Sequence, residues 1–157
     1  MLAAVRLQQQ DFSVDQELAA LRAGSMRMGG IATFIGCARD FSCEGNFSVQ
    51  DFSTQKFSAE CEVSEISFDA YDSMAVRAMN QLRKEAISQY QLLDARIVHR
   101  VGRVAAGEQI VLIATGAEHR APALQACHWL IDELKQRVPI WKKEITPRGD
   151  TWVTPHP

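Results

Sequence analysis

No apolar run in this sequence approaches the roughly 20 residues that a membrane-spanning helix needs. The first residues, MLAAVRLQQQDF, lack both the basic start and the long apolar core of a secretory signal. The expectation is a soluble, cytoplasmic protein. Cysteine is scarce, and Cys37, Cys43, Cys61 and Cys127 form no C-x-x-C pair. That argues against a zinc site or a thioredoxin-like redox motif, so no metal is expected. Their irregular spacing does not suit a secreted disulfide framework, and reduced thiols are the simplest reading. An excess of positive charge is missing too: 17 Lys and Arg stand against 19 Asp and Glu, a formal charge of -2. A whole-surface grip on nucleic acid is thereby disfavoured, and any anion site must come from local clustering. Glycine-rich phosphate loops of the Walker or dinucleotide type are absent as well.

What is there is an ordinary globular mix. The 157 residues, 46% hydrophobic and 23% charged, suit one domain over 1–157 with a real core. Residues 2–7 read as a short strand. Ser13 reads as a helix N-cap, with Gln16 three residues on, and Gly24 as the stop. IATFIG after Gly29-Gly30 is a buried strand by its β-branched and aromatic content. Residues 62–68 alternate and read as a strand. Residues 71–90 place Met74, Ala78, Leu82 and Ala86 on a helical stripe. Residues 92–101 and 109–115 read as strands, with a turn over 102–107 between them. Residues 122–137 form a helix with Leu124, Cys127, Ile131 and Leu134 on one stripe, ended by Pro139. A short strand over 140–145, a turn at 147–150 and an apolar ending follow. This order predicts an α+β fold with a mixed or mostly antiparallel sheet and packed helices.

Residues 40–60 are unusual. DFSCE, NFSVQ, DFSTQ and KFSAE repeat one x-F-S-x-Q/E form around a single Gly45. A period of five matches neither helix nor strand, so an expanded surface loop is expected. Its four phenylalanines leave open a docking role.

Chemistry concentrates between His119 and Lys143, which reads as a cationic pocket. His119 and Arg120 fall where a helix begins, and the dipole there favours acids. A bound anion would explain the pair, since free N-H groups, the dipole and a guanidinium would converge on it. Plain solvation of both side chains explains it equally well. Lys135 and Arg137 suit a helix C-terminus without further cause. Lys142 and Lys143 sit beside Trp141 in an apolar strand and point to opposite faces, so at most one shares the face of Ile140. A lysine crowded by cations and apolar walls becomes a base or nucleophile. A solvated lysine face remains the simpler reading. Arg39 stands where a strand meets a loop, a common place for ligand-binding groups. Cys37 has no partner base in sequence and reads as passive. His99-Arg100 lies inside a strand and reads as structural.

The stretches GGIATFIGCARD (residues 29–40), IVHRVGRVAAGEQIVLIATGAEHRAPA (97–123) and LKQRVPIWKKEITPRGDTWV (134–153) resemble the large, catalytic subunit of molybdopterin synthase. The last block is the most specific, and the resemblance covers nearly the whole chain. It implies a hammerhead-like α+β fold and a homodimer. Each subunit of the family binds a small ubiquitin-like sulfur carrier, giving a heterotetramer. The carrier's C-terminal thiocarboxylate delivers two sulfurs to cyclic pyranopterin monophosphate, forming the dithiolene of molybdopterin. The resemblance implies Lys135 and Lys142 as catalytic groups. It implies substrate contacts at Arg39, His119, Arg120, Lys135, Lys142 and Lys143, and in the wider set Cys37, Ala38 and Glu144. The phosphate would sit on His119 and Arg120, across the dimer interface. No cofactor, nucleic acid or membrane is implied. Two departures stand out: the 40–60 loop is long for the family, and Cys37 replaces a residue that relatives can have basic. The alternative from another class is a non-catalytic dimeric module that binds a small protein's C-terminal tail.

Overall fold

The computed structural model describes residues 2–40 and 62–153. The repetitive loop therefore falls almost entirely outside the described residues. The elements in order are β1 (Val5–Gln8), α1 (Val14–Ala23), β2 (Gly30–Cys37), β3 (Glu65–Ala70), α2 (Asp72–Tyr90), β4 (Asp94–Arg100), β5 (Gly102–Ala105), β6 (Gln109–Ala117), α3 (Arg120–Arg137), β7 (Ile140–Thr146) and β8 (Gly149–Val153). Among the described residues no helix is long and apolar enough to cross a membrane.

The fold is α+β as expected, but the strands divide into two four-stranded sheets. One has the order β1-β4-β6-β2 and the other β5-β3-β7-β8. The β1–β4 pair is parallel, and the other pairings are antiparallel. In the first sheet the central strands β4 and β6 are buried on both faces. Ala95, Ile97 and Ile113 meet α2 and α3 on one side. Val98, Leu112 and Ala114 meet Phe12 and Leu21 on the other. A third cluster, Ala38, Val63, Ile66, Phe68 and Val104, joins the end of β2 to the second sheet, with Ile140 packed against it.

Local signals account for most boundaries. Ser13 Oγ accepts from the Gln16 N-H at 3.4 Å, and Asp15 and Glu17 occupy the first turn of α1. Gly24 closes α1 in a right-handed conformation, not the left-handed one glycine allows. Two stripes differ from expectation. In α2 the buried row is Ala75, Met79, Leu82 and Ala86, while Met74 is 58% exposed. In α3, Leu124 is 60% exposed, and Ala123, Ala126 and Leu130 join Cys127, Ile131 and Leu134 inside. A strict i, i+4 row drifts around a helix of 3.6 residues per turn, so the buried stripe alternates steps of three and four. The expected turn over 102–107 is also shorter. Gly102–Ala105 forms β5 because Val104 is fully buried opposite Ile66, and the turn shrinks to 106–108.

His99 is structural, as read from sequence. Its ring meets the edge of Phe68 at 5.3 Å, and Nδ1 donates to the Arg100 carbonyl at 2.6 Å. Burial pushes its pKa down to about 4. The unfolded chain therefore takes up a proton that the native state refuses. Stability should fall as pH drops from about 6.5 to about 4, by about 3 kcal/mol in total. Denaturant midpoints at pH 7 and pH 4.5 check this. The native protein should lose more between them than a His99→Gln variant, and equal losses would refute it.

Candidate functional site

The candidate residues occupy three places in the fold. The first is the start of α3. His119 is its N-cap, with extended backbone (φ -128°, ψ 154°) and no side-chain capping bond. The first turn contains no acid, and both His119 and Arg120 are exposed. The neighbouring Glu118 is paired with Arg27. Cationic side chains, open N-H groups and the helix dipole thus face the same solvent, as an anion site requires. Gly29 and Gly30 let β2 approach this point. A Cβ on Gly29 would lie 2.3 Å from the Glu118 carbonyl, and one on Gly30 3.3 Å from Arg120 Cα. The sequence reading noted this glycine pair but missed its packing role.

The second place joins the end of α3 to β7. Lys135 is exposed in the last turn and has no ion-pair partner among the described residues. Arg137 beside it is structural: it reaches Glu85 at 2.7 Å and Glu133 at 3.0 Å. Hydrogen bonds from Arg137, and then from Gln81, hold Glu85 down at about 2. On β7 the two lysines part as strand alternation dictates. Lys142 stands opposite Phe68 on the face of Ile140, and its Nζ is 2.7 Å from Oε1 of Glu144. Glu144 is only 8% exposed, so that carboxylate depends on the ammonium beside it. Lys143 faces the other way, 3.0 Å from Asp150 and 5.5 Å from the Trp152 ring centre.

The third place is the end of β2. Cys37 and Arg39 are exposed, and Ala38 between them is buried. The Ala38 N-H donates to the Glu108 carbonyl at 2.9 Å, and its carbonyl accepts from Gly107 at 2.7 Å. The side chain, N-H and carbonyl of Ala38 are all engaged within the chain, so it spaces Cys37 from Arg39. The Val63 N-H donates to the Asp40 carbonyl at 2.8 Å and the next residue's N-H, of Ser64, donates to the Ile145 carbonyl at 3.2 Å, so the ends of β2 and β7 are neighbours.

These places do not form one pocket within a single chain. Arg120 and Lys135 lie near opposite ends of α3, about 22 Å apart at 1.5 Å per residue. Arg39 and the His119–Arg120 pair likewise flank opposite ends of β2, about 23 Å apart at 3.3 Å per residue. Within one chain the residues of the expected pocket over His119 to Lys143 thus fall into two groups: those at the start of α3, and those where β2 ends and where α3 leads into β7. Two hollows among the described residues lie elsewhere, one lined by Gln9, Val101 and Arg103, the other by Met74, Arg77 and Arg137.

Comparison with known proteins gives a consistent result. The family model described as "MoaE protein" matches residues 7–137. The molybdopterin synthase catalytic subunit of Pyrococcus abyssi is 34% identical over 144 residues, 92% of this chain and 85% of that protein. The solved molybdopterin biosynthesis MoaE protein from Burkholderia ambifaria superposes with a TM-score of 0.76 at 35% identity, covering 99% of this chain and 92% of that one. A chain from the Helicobacter pylori complex of subunits 1 and 2 of molybdopterin-converting factor has the same fold at 19% identity, TM-score 0.71, covering 97% and 91%.

Proposed function

The chain belongs to the MoaE protein family, and on that premise we propose that it is the catalytic subunit of a molybdopterin synthase. It takes sulfur from the C-terminal thiocarboxylate of a small ubiquitin-like carrier. Two sulfurs pass in turn to cyclic pyranopterin monophosphate and form the dithiolene. In each transfer a carbon–sulfur bond forms at the pterin as a carbon–oxygen bond there breaks, its oxygen leaving as water or staying on the opened phosphate; the carrier's carbon–sulfur bond breaks and water supplies the replacing oxygen, so the carrier returns as a carboxylate. The observation that carries the reading is the division of the cations into two differently built halves. A helix N-terminus with His119 and Arg120 suits a phosphate. The Lys142–Glu144 pair on β7, with Lys135 in the last turn of the helix before it, suits an acyl group that develops negative charge. Lys142, held by Glu144, neutralises the thiocarboxylate and the oxyanion. To Lys135, which has no ionic partner among the described residues, falls the role of base or of transient amide with the carrier terminus. Arg39 and Lys143 add charge around the pterin, and Cys37 leaves that charge weaker than a basic residue would.

Two copies are needed to unite the halves. β2 is an edge strand of the first sheet, and Phe34 and Ile35 on it are partly exposed. An antiparallel, two-fold contact along this edge would set the Gly30 end of one copy, with His119 and Arg120, beside the Arg39 end of the other. The named complex from Helicobacter pylori supports a small-subunit partner. The free thiols of Cys37 and Cys127 suit the cytoplasm.

The direct test mixes the protein with thiocarboxylated carrier and the cyclic pterin. Dithiolene product is expected, and its absence would sink the reading. A tail-binding module would bind carrier and form no product. A second test mixes an Arg120→Ala variant with a Lys142→Ala variant. Each alone should form product at no more than about one hundredth of the parent rate. Randomly reassorted dimers should regain activity in about one quarter of their sites, because one site per mixed dimer is intact. No recovery would mean the halves are not shared between copies.

A further inference from the structure

If Arg39 binds the substrate anion, as the reading above has it, something must hold it at the end of β2. We propose that Glu108 and Arg100 are positioning residues for Arg39, acting through the turn at residues 106–108. The pairing of β2 with β6 slips between Gly36 and Cys37, so the regular ladder stops short of Arg39. Discrete bonds take over. Ala38 exchanges hydrogen bonds with Glu108 and Gly107, at 2.9 and 2.7 Å, and the Asp40 carbonyl accepts from Val63 at 2.8 Å. Arg39 is the one residue between two clamps.

The first clamp has its own support. Gly107 adopts φ +87°, a left-handed conformation that a side chain would strain, and this aims its N-H at Ala38. The Glu108 carboxylate closes the turn by accepting from the Ala105 N-H at 3.2 Å. The same oxygen accepts from Arg100 Nη1 at 3.1 Å. Arg100 is 7% exposed and also donates to the carbonyls of Gln109 and Gln9, both at 3.1 Å. One buried guanidinium thus fixes the turn to the ends of β1 and β4 and the start of β6. Its fork geometry reaches several acceptors at once, which a lysine cannot do. Arg100, one half of the His-Arg pair that read as structural in the sequence, therefore reaches the binding region through two hydrogen-bonded steps, by way of Glu108 to Ala38.

The test uses the full chain assembled with its small sulfur-carrier partner, and steady-state kinetics in the cyclic pterin. Glu108→Ala should raise KM for the pterin about 10-fold with kcat within about twofold, since a displaced binding group weakens capture more than chemistry. Glu108→Gln, whose amide oxygen can still accept from Ala105, should recover most of the loss. Arg39→Ala should raise KM as well. In an Arg39→Ala background, Glu108→Ala should then have no further effect on KM, because the group it positions is gone. The Glu108 side chain is half exposed, so the variant should fold, and its thermal midpoint checks that. Arg100→Lys should show the same KM split. Additive KM effects of Glu108→Ala and Arg39→Ala, or a fall in kcat at constant KM, would overturn this proposal alone. An unchanged KM in Arg39→Ala would overturn it together with the reading of Arg39.

Discussion

Lys142→Ala is expected to lower dithiolene formation by roughly 10²–10³-fold, the scale on which a preorganised charge at a developing oxyanion acts. Lys135→Ala should fall into the same range, and near-normal product from both variants would sink the assignment. The two variants should differ in stability. Lys142 compensates Glu144, which is buried on the inner face of β7. Removing it strands a carboxylate in a poorly solvated place and should lower the thermal midpoint. Lys135 is exposed and pairs with no described acid, so its removal should leave the midpoint unchanged. Lys142→Arg separates the two effects. It keeps the ion pair and the fold but moves the charge, and should restore the midpoint more fully than the rate.

That contrast between the lysines was only partly legible in the sequence. Strand alternation placed Lys142 and Lys143 on opposite faces, and the structure agrees. The same alternation puts Glu144 on the face of Lys142, so the pair was visible as an i, i+2 spacing in a strand, a signal the sequence reading did not use. The separation of His119 and Arg120 from Lys135 was legible too, because residues 122–137 already read as a helix. His119 and Lys135 are close in sequence, but the intervening residues are helical, and each adds 1.5 Å in a constant direction. Local chemistry fixed the start of α1 at Ser13 and the end of α3 before Pro139. It did not decide which row of α2 faces inward, because that choice depends on the strands underneath. The strand β5 was illegible for the same reason: Val104 takes its conformation from Ile66, far away in sequence.

Glu17→Ala should be the most destabilising single change on the far side of the fold. Glu17 is 1% exposed in α1 and accepts from two arginines, Arg6 on β1 and Arg96 on β4, the latter at 2.7 Å. Arg96 is 4% exposed and also donates to the carbonyls of Leu2 and Ala3 at 3.2 and 3.0 Å. Burial pushes the Glu17 carboxyl up, but hydrogen bonds and charge from Arg6 and Arg96 outweigh it and hold the group below its ordinary value. A carboxyl depressed in the folded state stabilises above its unfolded pKa, near 4.5, and loses that contribution as pH falls through the folded value. Removing the carboxylate leaves the buried Arg96 charge without its counterion, a change worth about 3–5 kcal/mol. At about 2–4 °C per kcal/mol for a chain of this size, the thermal midpoint should drop by roughly 6–20 °C. Glu17→Gln keeps the shape and one acceptor but not the charge, and should fall between. Because breaking the network differs from replacing it, a triple variant with Met at 6 and 96 and Leu at 17 should lie much closer to the parent than Glu17→Ala does. A midpoint shift below about 2 °C in Glu17→Ala would show that the arginines find other partners. The network sits on the α1 face of the first sheet, opposite α2 and α3. Product formation per folded molecule, measured well below the lowered midpoint, should therefore stay near that of the parent. This separates a residue that holds the sheet together from the lysines proposed to act on the substrate.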